Sequence, residues 1–351
     1  MDPLVIESRR HDRSWVGFGE TGYQRIRSSG GRRVLIADAR LQAWVGPVAE
    51  RVDADAVYSV DVDESTKSLA TVGRLYEWMG AAGVTRDTTV VALGGGVTTD
   101  MVGFAAATYQ RGLRWCAVPT SLLAQVDAAI GGKTGVNTPW GKNLVGAFHL
   151  PEVVVLDEAF LATLPQREWL AGLGEVLKSG LIRGGALYER LDGLRLPPEG
   201  PLEAWRDIIF ETAAIKIDIV NQDLYETGSR MFLNFGHTIG HALENVLGYG
   251  VLSHGEAVGL GSLAALELSR KLCGLSPAVE VRVRQWMSLW GLPTVMPPVD
   301  FDLLWSRLRQ DKKARSDGLT WVLLEAPGAP RLVSNIDQNV VRGVISHLQG
   351  G

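Results

Sequence analysis

With only two cysteines, Cys116 and Cys273, the chain has no means of building a disulfide framework. Cys116 lies in the apolar run Trp115-Cys116-Ala117-Val118 and reads as a reduced core thiol. Basic excess is missing too. A formal charge of −4 gives a phosphate backbone no electrostatic footing, so no nucleic-acid partner is expected. No stretch approaches the roughly 18 consecutive apolar residues of a membrane span. The opening Met1-Asp2-Pro3-Leu4 lacks the basic-then-apolar layout of a secretory signal, and a cytoplasmic enzyme is the expectation. Lysine is scarce as well: 8 of the 35 basic residues are Lys and the other 27 are Arg. A compact ammonium whose pKa can shift is not replaceable by a guanidinium fork, so the positions that kept Lys are worth following.

What the chain does have is 351 residues with 46% hydrophobic content, enough for two compact units with real cores. Its first part alternates apolar runs with helical stretches. Val34–Asp38, Val57–Asp61, Thr89–Leu93, Trp115–Val118 and Val153–Leu156 are rich in β-branched residues and read as buried strands, with a helix over Ser68–Ala82. That alternation implies a parallel sheet covered on both faces. After about Asp157, amphipathic segments with apolar residues near 3.6 spacing dominate: Gln166–Ile182, Ala204–Val220, Thr238–Val246, Glu256–Leu272 and Ala278–Trp290. A small hairpin is expected from Leu319–Leu324 and Arg331–Ser334. The expected class is an α/β Rossmann-like domain with a parallel sheet over 1–155, then a mainly α-helical domain over 156–351.

Three motifs suggest chemistry. Leu93-Gly94-Gly95-Gly96 follows a strand and opens the apolar helix Met101–Thr108, which suits a pyrophosphate at a helix N-terminus, although a tight turn would look the same. Asp38 ends a strand where a ribose hydroxyl could be bound. Three of the six histidines, His237, His241 and His254, fall within 18 positions. His237 and His241 share a helix face. Any two of the three with one carboxylate would make a catalytic metal site with an open position. Finally, the glycine-interrupted loop around Gly131-Gly132-Lys133 and Gly141-Lys142-Asn143 carries two of the scarce lysines, and Lys216 and Arg230 add cations upstream of the histidines. Together they argue for a polyanionic substrate.

In order, Gly94-Gly95-Gly96 with Asp100, Val118–Asp127, Gly131-Gly132-Lys133-Thr134, Gly141-Lys142-Asn143-Leu144, Gly174-Glu175-Val176-Leu177-Lys178, Arg230–His241 and His254-Gly255-Glu256 resemble the motif series of the 3-dehydroquinate synthases. The resemblance runs from about Asp38 to Lys313. It implies zinc, or cobalt in its place, held by Glu175, His237 and His254, with His241 as a proton-handling residue. It implies a substrate pocket of Asp127, Lys133, Asn143, Lys178, Lys216, Glu226, Arg230 and Asn234, in which Lys178, Glu226 and Asn143 join His241 as catalytic groups. His254 is counted among the substrate contacts as well as the ligands. NAD contacts map to Asp38, Glu64, Lys67, Gly94, Gly95, Gly96, Asp100, Thr120, Ser121, Lys142, Phe160 and Thr163. Arg111 maps to an arginine reaching the substrate phosphate from a neighbouring subunit, which implies a homodimer. A late lysine contact falls on Lys312 or its neighbour Lys313. On this mapping seven of the eight lysines, all but Lys271, lie in family motifs. Thr98-Thr99 and Ser179 depart from the usual pattern without removing a catalytic group.

The implied reaction takes 3-deoxy-D-arabino-heptulosonate 7-phosphate to 3-dehydroquinate and phosphate. Transient oxidation by NAD, β-elimination of phosphate, reduction and intramolecular aldol closure follow in turn, as a step toward the aromatic amino acids. Two alternatives stand beside it. One is a sister sugar-phosphate cyclase such as an amino-dehydroquinate synthase. The other is a metal-dependent NAD alcohol or glycerol dehydrogenase, which has no use for Lys133, Lys142, Lys178, Lys216 and Arg230 together.

Overall fold

The computed structural model describes residues 13–196, 202–226, 228–248, 250–313 and 319–350, with only the backbone of 310–313. Its contacts divide the chain into two compact units, 1–120 with 132–157, and 121–131 with 158–351. The segment 121–131 thus clusters with the second unit although it lies within the first 155 residues.

The first unit is built on a six-stranded sheet. In chain order its elements are β1 (Trp15–Phe18), α1 (Gly19–Ser28), β2 (Arg33–Asp38), α2 (Gln42–Val52), β3 (Ala56–Val60), α3 (Leu69–Ala81), β4 (Thr89–Gly94), α4 (Gly96–Thr108) and β5 (Arg114–Pro119). After these come β6 (Lys133–Thr138), β7 (Gly141–Phe148) and β8 (Val153–Leu156). The sheet runs β1-β8-β5-β4-β2-β3 and every pairing in it is parallel. β2, β4 and β8 are buried along their whole length, as a parallel sheet covered on both faces requires. Ser68 caps α3, its hydroxyl accepting from the Thr71 N–H.

Two features differ from the expectations. Trp15–Phe18 adds an edge strand, parallel to β8. The presumed loop around Lys133 and Lys142 is an antiparallel hairpin, β6 against β7, with Val136 opposite Val145. Glycines hide it in the sequence, yet the pairing needs them: a Cβ on Gly146 would lie 2.2 Å from the Thr134 carbonyl oxygen.

The second unit is helical: α5 (Gln166–Arg183), α6 (Gly185–Arg190), α7 (Ala204–Gln222), α8 (His237–Leu247), α9 (His254–Cys273), α10 (Pro277–Trp290), α11 (Phe301–Lys313) and α12 (Gln338–Leu348). The antiparallel hairpin β9 (Thr320–Ala326) and β10 (Ala329–Ser334) lies against α9, where Ser269 Oγ accepts from the Leu324 N–H at 2.9 Å. α5 and α9 are buried around nearly their full circumference, so they form the centre of this unit. They meet backbone to backbone. A Cβ on Gly174 would stand 2.6 Å from Gly255 Cα, and one on Gly255 would stand 2.1 Å from the Leu170 carbonyl oxygen. This close approach sets neighbouring Glu175 and His254 facing each other.

Candidate active site

In the first unit the chain winds from β2 to β3 in one direction, then returns past β2 to β4 and continues to β5 and β8 in the other. In open parallel sheets a ligand crevice lies at such a reversal, beyond the carboxyl ends of the two strands. Here those ends are Asp38 and Gly94. Gly95 caps α4, whose 13 residues begin at Gly96, and a Cβ on Gly94 would stand 2.4 Å from Thr98 Oγ1. The Thr120 N–H donates to the Gly94 carbonyl at 3.0 Å and steadies the turn. Thr98 and Thr99 are both buried, and the Thr99 hydroxyl donates back to the Gly96 carbonyl at 3.0 Å within its own helix. Asp38 is paired with Arg40, Nη2 to Oδ2 at 2.6 Å and Nε to Oδ1 at 3.0 Å.

The same unit gathers five of the expected residues. Lys67 Nζ donates to Asp100 Oδ2 at 2.5 Å and to Asn143 Oδ1 at 2.6 Å. Lys142 Nζ lies 3.8 Å from Glu64 Oε1. Asn137, which the sequence reading passed over, joins the two pairs: its Nδ2 donates to Glu64 Oε1 at 2.7 Å, and its Oδ1 accepts from the Asn143 N–H at 3.0 Å. Asn143 has φ 54°, in the left-handed region that asparagine tolerates better than most residues with a Cβ. Lys133 is exposed at the start of β6, and Arg111 is exposed at φ 67° in the turn between α4 and β5.

In the second unit, α5, α8 and α9 bring together Glu175, His237 and His254, with one donor atom from each within 4.8 Å of the others. Nε2 of His237 and Nε2 of His254 lie 3.2 and 3.1 Å from the same oxygen, Glu175 Oε1. His237 Nδ1 is 3.1 Å from the Phe235 carbonyl, which leaves Nε2 as the lone-pair nitrogen. A carboxylate and two imidazoles converging in this way are the donor set that zinc or cobalt takes in catalytic sites.

His241 lies one turn beyond His237, the two ring centroids 5.1 Å apart. It belongs with Glu244 and His254 to a second three-donor group. Protein atoms around its ring, and then the neighbouring imidazoles, push His241 down to about 3, although the residue is exposed to solvent, which weakens that push. Burial alone would lower His254 as well. The Glu175 and Glu244 carboxylates outweigh it and raise that imidazole to about 10.

Next to this cluster stand the cations. Lys178, one turn after Glu175 on α5, pairs with Glu175 Oε2, and its Nζ is 3.7 Å from Asp127 Oδ1. Lys216 Nζ is 2.8 Å from the same Asp127 oxygen and donates to the Asp127 carbonyl at 2.7 Å. Burial works against every charge here. The Glu175 and Asp127 carboxylates nevertheless hold Lys178 above its ordinary value, while Lys216 is left below its own. Lys216 and Lys178 together overcome burial to hold the Asp127 carboxyl below the usual range. Arg230 is 2% exposed, donates to the carbonyls of Leu224 and Gly131, and is pushed down chiefly by burial. Asn234 Nδ2 donates to Glu226 Oε1 at 2.7 Å.

Ser121 Oγ caps the local turn, accepting from the Ala124 N–H. Phe160 is buried and Thr163 exposed in a 3-10 segment, Glu158–Thr163. The Lys312 side chain lies outside the described residues. Glu244 escaped the sequence reading, although it continues the His237 and His241 face at i+7.

The fold is that of the sugar-phosphate cyclases. A 2-epi-5-epi-valiolone synthase from Streptomyces hygroscopicus, solved with NAD+ and Zn2+ bound, superposes with a TM-score of 0.89 at 28% identity over 99% of each chain. A 2-deoxy-scyllo-inosose synthase complexed with carbaglucose-6-phosphate, NAD+ and Co2+ gives 0.84 at 27% identity, covering 95% of this chain and 96% of that one. The 3-dehydroquinate synthase N-terminal family model matches residues 57–171 and its C-terminal counterpart residues 172–314, and the chain belongs to the 3-dehydroquinate synthase family. It is 44% identical over 270 residues to a 3-dehydroquinate synthase of Streptococcus gordonii, covering 77% of this chain and 76% of the relative. It is 38% identical over 325 residues to one from Synechocystis, covering 90% of each.

Proposed function

We propose that the chain catalyses the family reaction, converting 3-deoxy-D-arabino-heptulosonate 7-phosphate to 3-dehydroquinate and phosphate. The observation that carries this reading is the placement of Lys178, Lys216, Asp127 and Arg230 beside a three-donor metal cluster, in a chain that family models match over 57–314. A simple alcohol or glycerol dehydrogenase would have nothing for these cations to bind.

Glu175, His237 and His254 would hold zinc or cobalt. The Gly94–Gly96 turn, with Asp38, Lys67 and Asp100, would hold NAD. Bound NAD+ supplies a reversible hydride acceptor, and the divalent ion supplies Lewis acidity to substrate oxygens. The protein's own part is charge and proton handling. Lys178, Lys216 and Arg230 bind and orient the anionic substrate, with Arg230 presenting a fork to its carboxylate. His241 is placed to handle the proton of the C5 hydroxyl. Lys133 would add a point charge at the substrate carboxylate, and Asn143 would hold the phosphate, which itself can act as the base for its own elimination.

The reading includes a cytoplasmic setting and a homodimer in which Arg111 reaches the substrate phosphate of the other copy. The decisive experiment supplies the heptulosonate phosphate and follows phosphate and NADH together, with and without chelator. Phosphate release that the chelator abolishes, with no net NADH, is expected. Stoichiometric NADH would overturn the reading in favour of a dehydrogenase.

A further inference from the structure

We propose that Glu244 is the positioning carboxylate of the metal site: it binds Nδ1–H of His254 and so fixes that imidazole with Nε2 turned toward Glu175. This rests on the metal assignment made above and adds a residue to it.

Glu244 is 7% exposed, and a carboxylate is seldom buried so far without a defined partner. It lies on α8 with His237 and His241 at positions i, i+4 and i+7, one stripe along the helix. His254 opens α9, and its approach is fixed by the reciprocal cap of Ser253 and Glu256. The two nitrogens of the His254 ring meet two different carboxylates. Nε2 is 3.1 Å from Glu175 Oε1, and Nδ1 is 3.5 Å, the outer reach of a hydrogen bond, from Glu244 Oε2.

A neutral imidazole carries one N–H and one lone pair. Serving as a metal donor beside Glu175 requires Nε2 to give up its proton, so the one proton left on the ring belongs on Nδ1, and Glu244 is the acceptor there. His237 follows the same logic with a different acceptor, its Nδ1 lying 3.1 Å from the Phe235 carbonyl. One imidazole is therefore steadied by backbone and the other by a charged side chain. A carboxylate in that place fixes the tautomer and makes the ring a stronger donor, and losing such a partner typically weakens metal binding roughly 10–100-fold.

The test uses the full chain and zinc itself. Zinc affinity is measured by competition with a chromophoric chelator, and the cobalt-loaded protein is compared by its visible absorption. Glu244→Ala should weaken zinc binding roughly 10–100-fold and shift the cobalt bands. Glu244→Gln keeps an acceptor of the same shape and should recover most of the affinity, which carries the test even if the alanine variant folds poorly. Wild-type affinity and an unaltered cobalt spectrum in both variants would overturn the proposal. So would a glutamine variant as metal-free as Glu175→Gln, because Glu244 would then be a ligand. His254→Ala serves as the control. If it retains zinc, the metal assignment itself fails, whatever Glu244 does.

Discussion

Arg230 donates through Nη2 to the carbonyl oxygen of Gly131 at 3.2 Å, tying together residues 99 apart in sequence. Gly131 has φ 95°, and a Cβ there would stand 2.7 Å from that same nitrogen. Gly131→Ala should therefore displace the guanidinium as well as strain the turn. The left-handed backbone costs about 1–2 kcal/mol for a residue with a Cβ. Thermal unfolding should register that loss, and the KM for the heptulosonate phosphate should rise more than kcat falls. Unchanged stability and KM would show that the glycine does not set the arginine.

Asp127 lies between two buried ammonium groups, and Asp127→Asn would leave Lys178 and Lys216 facing a neutral amide. Breaking a buried pair costs about 3–5 kcal/mol, and the lower end applies because the Asp127 side chain keeps 26% of its exposure. The pH dependence has a definite sign. The folded-state carboxyl is held below its unfolded value of about 3.9, so the unfolded chain binds protons more readily. Its stabilising contribution should be complete above about pH 4 and be lost as pH falls further. Urea unfolding between acid and neutral pH should give a flatter profile for the asparagine variant.

Asn137 holds both the Asn143 backbone and the Glu64 carboxylate. Asn137→Ala should weaken NAD+ binding. Each hydrogen bond lost is worth about 1 kcal/mol, or roughly 5-fold in affinity. Calorimetric titration of NAD+ measures this, and wild-type affinity would show that the Lys67–Asn143 contact holds without Asn137.

The two thiols should part company under alkylation. Burial, and then the neighbouring Glu152 carboxylate, push the Cys116 thiol up to about 12, so thiolate is negligible at neutral pH. Cys273 ends α9 in a half-buried position. Iodoacetamide followed by mass spectrometry should label Cys273 in the native protein and reach Cys116 only on unfolding.

Much of this was legible in the sequence wherever one physical signal dominated. The β-branched runs at Val34–Asp38, Thr89–Leu93 and Val153–Leu156 lie in strands of the parallel sheet, because burial on both faces requires such runs. The long amphipathic segments coincide with helices to within about two residues. The β6–β7 hairpin was illegible because Gly135, Gly141 and Gly146 interrupt the alternation that marks a strand. Four residues of Trp15–Phe18 are too few to show any period. Among candidate site residues, helical spacing singled out the His237 and His241 pair. The proximity of Glu175 depends on α5 packing against α9, a tertiary fact with no local signature. Glu244 was missed for the same reason, since nothing in Ala242–Asn245 reveals which helix will face it.

The contact of Gly174 with Gly255 has a consequence for how this site can change. Most catalytic distances depend on packed side chains, and drift at one position can be offset by a complementary change at another. Here two main chains already touch, immediately beside Glu175 and His254, and no smaller residue exists to compensate for an added methyl group. A saturation library screened for function should find these two positions intolerant, with no second-site suppressors, while apolar positions around α5 and α9 exchange with one another. The separation of the carboxylate and the imidazole is in effect a gauge block, of fixed length because it contains no adjustable part.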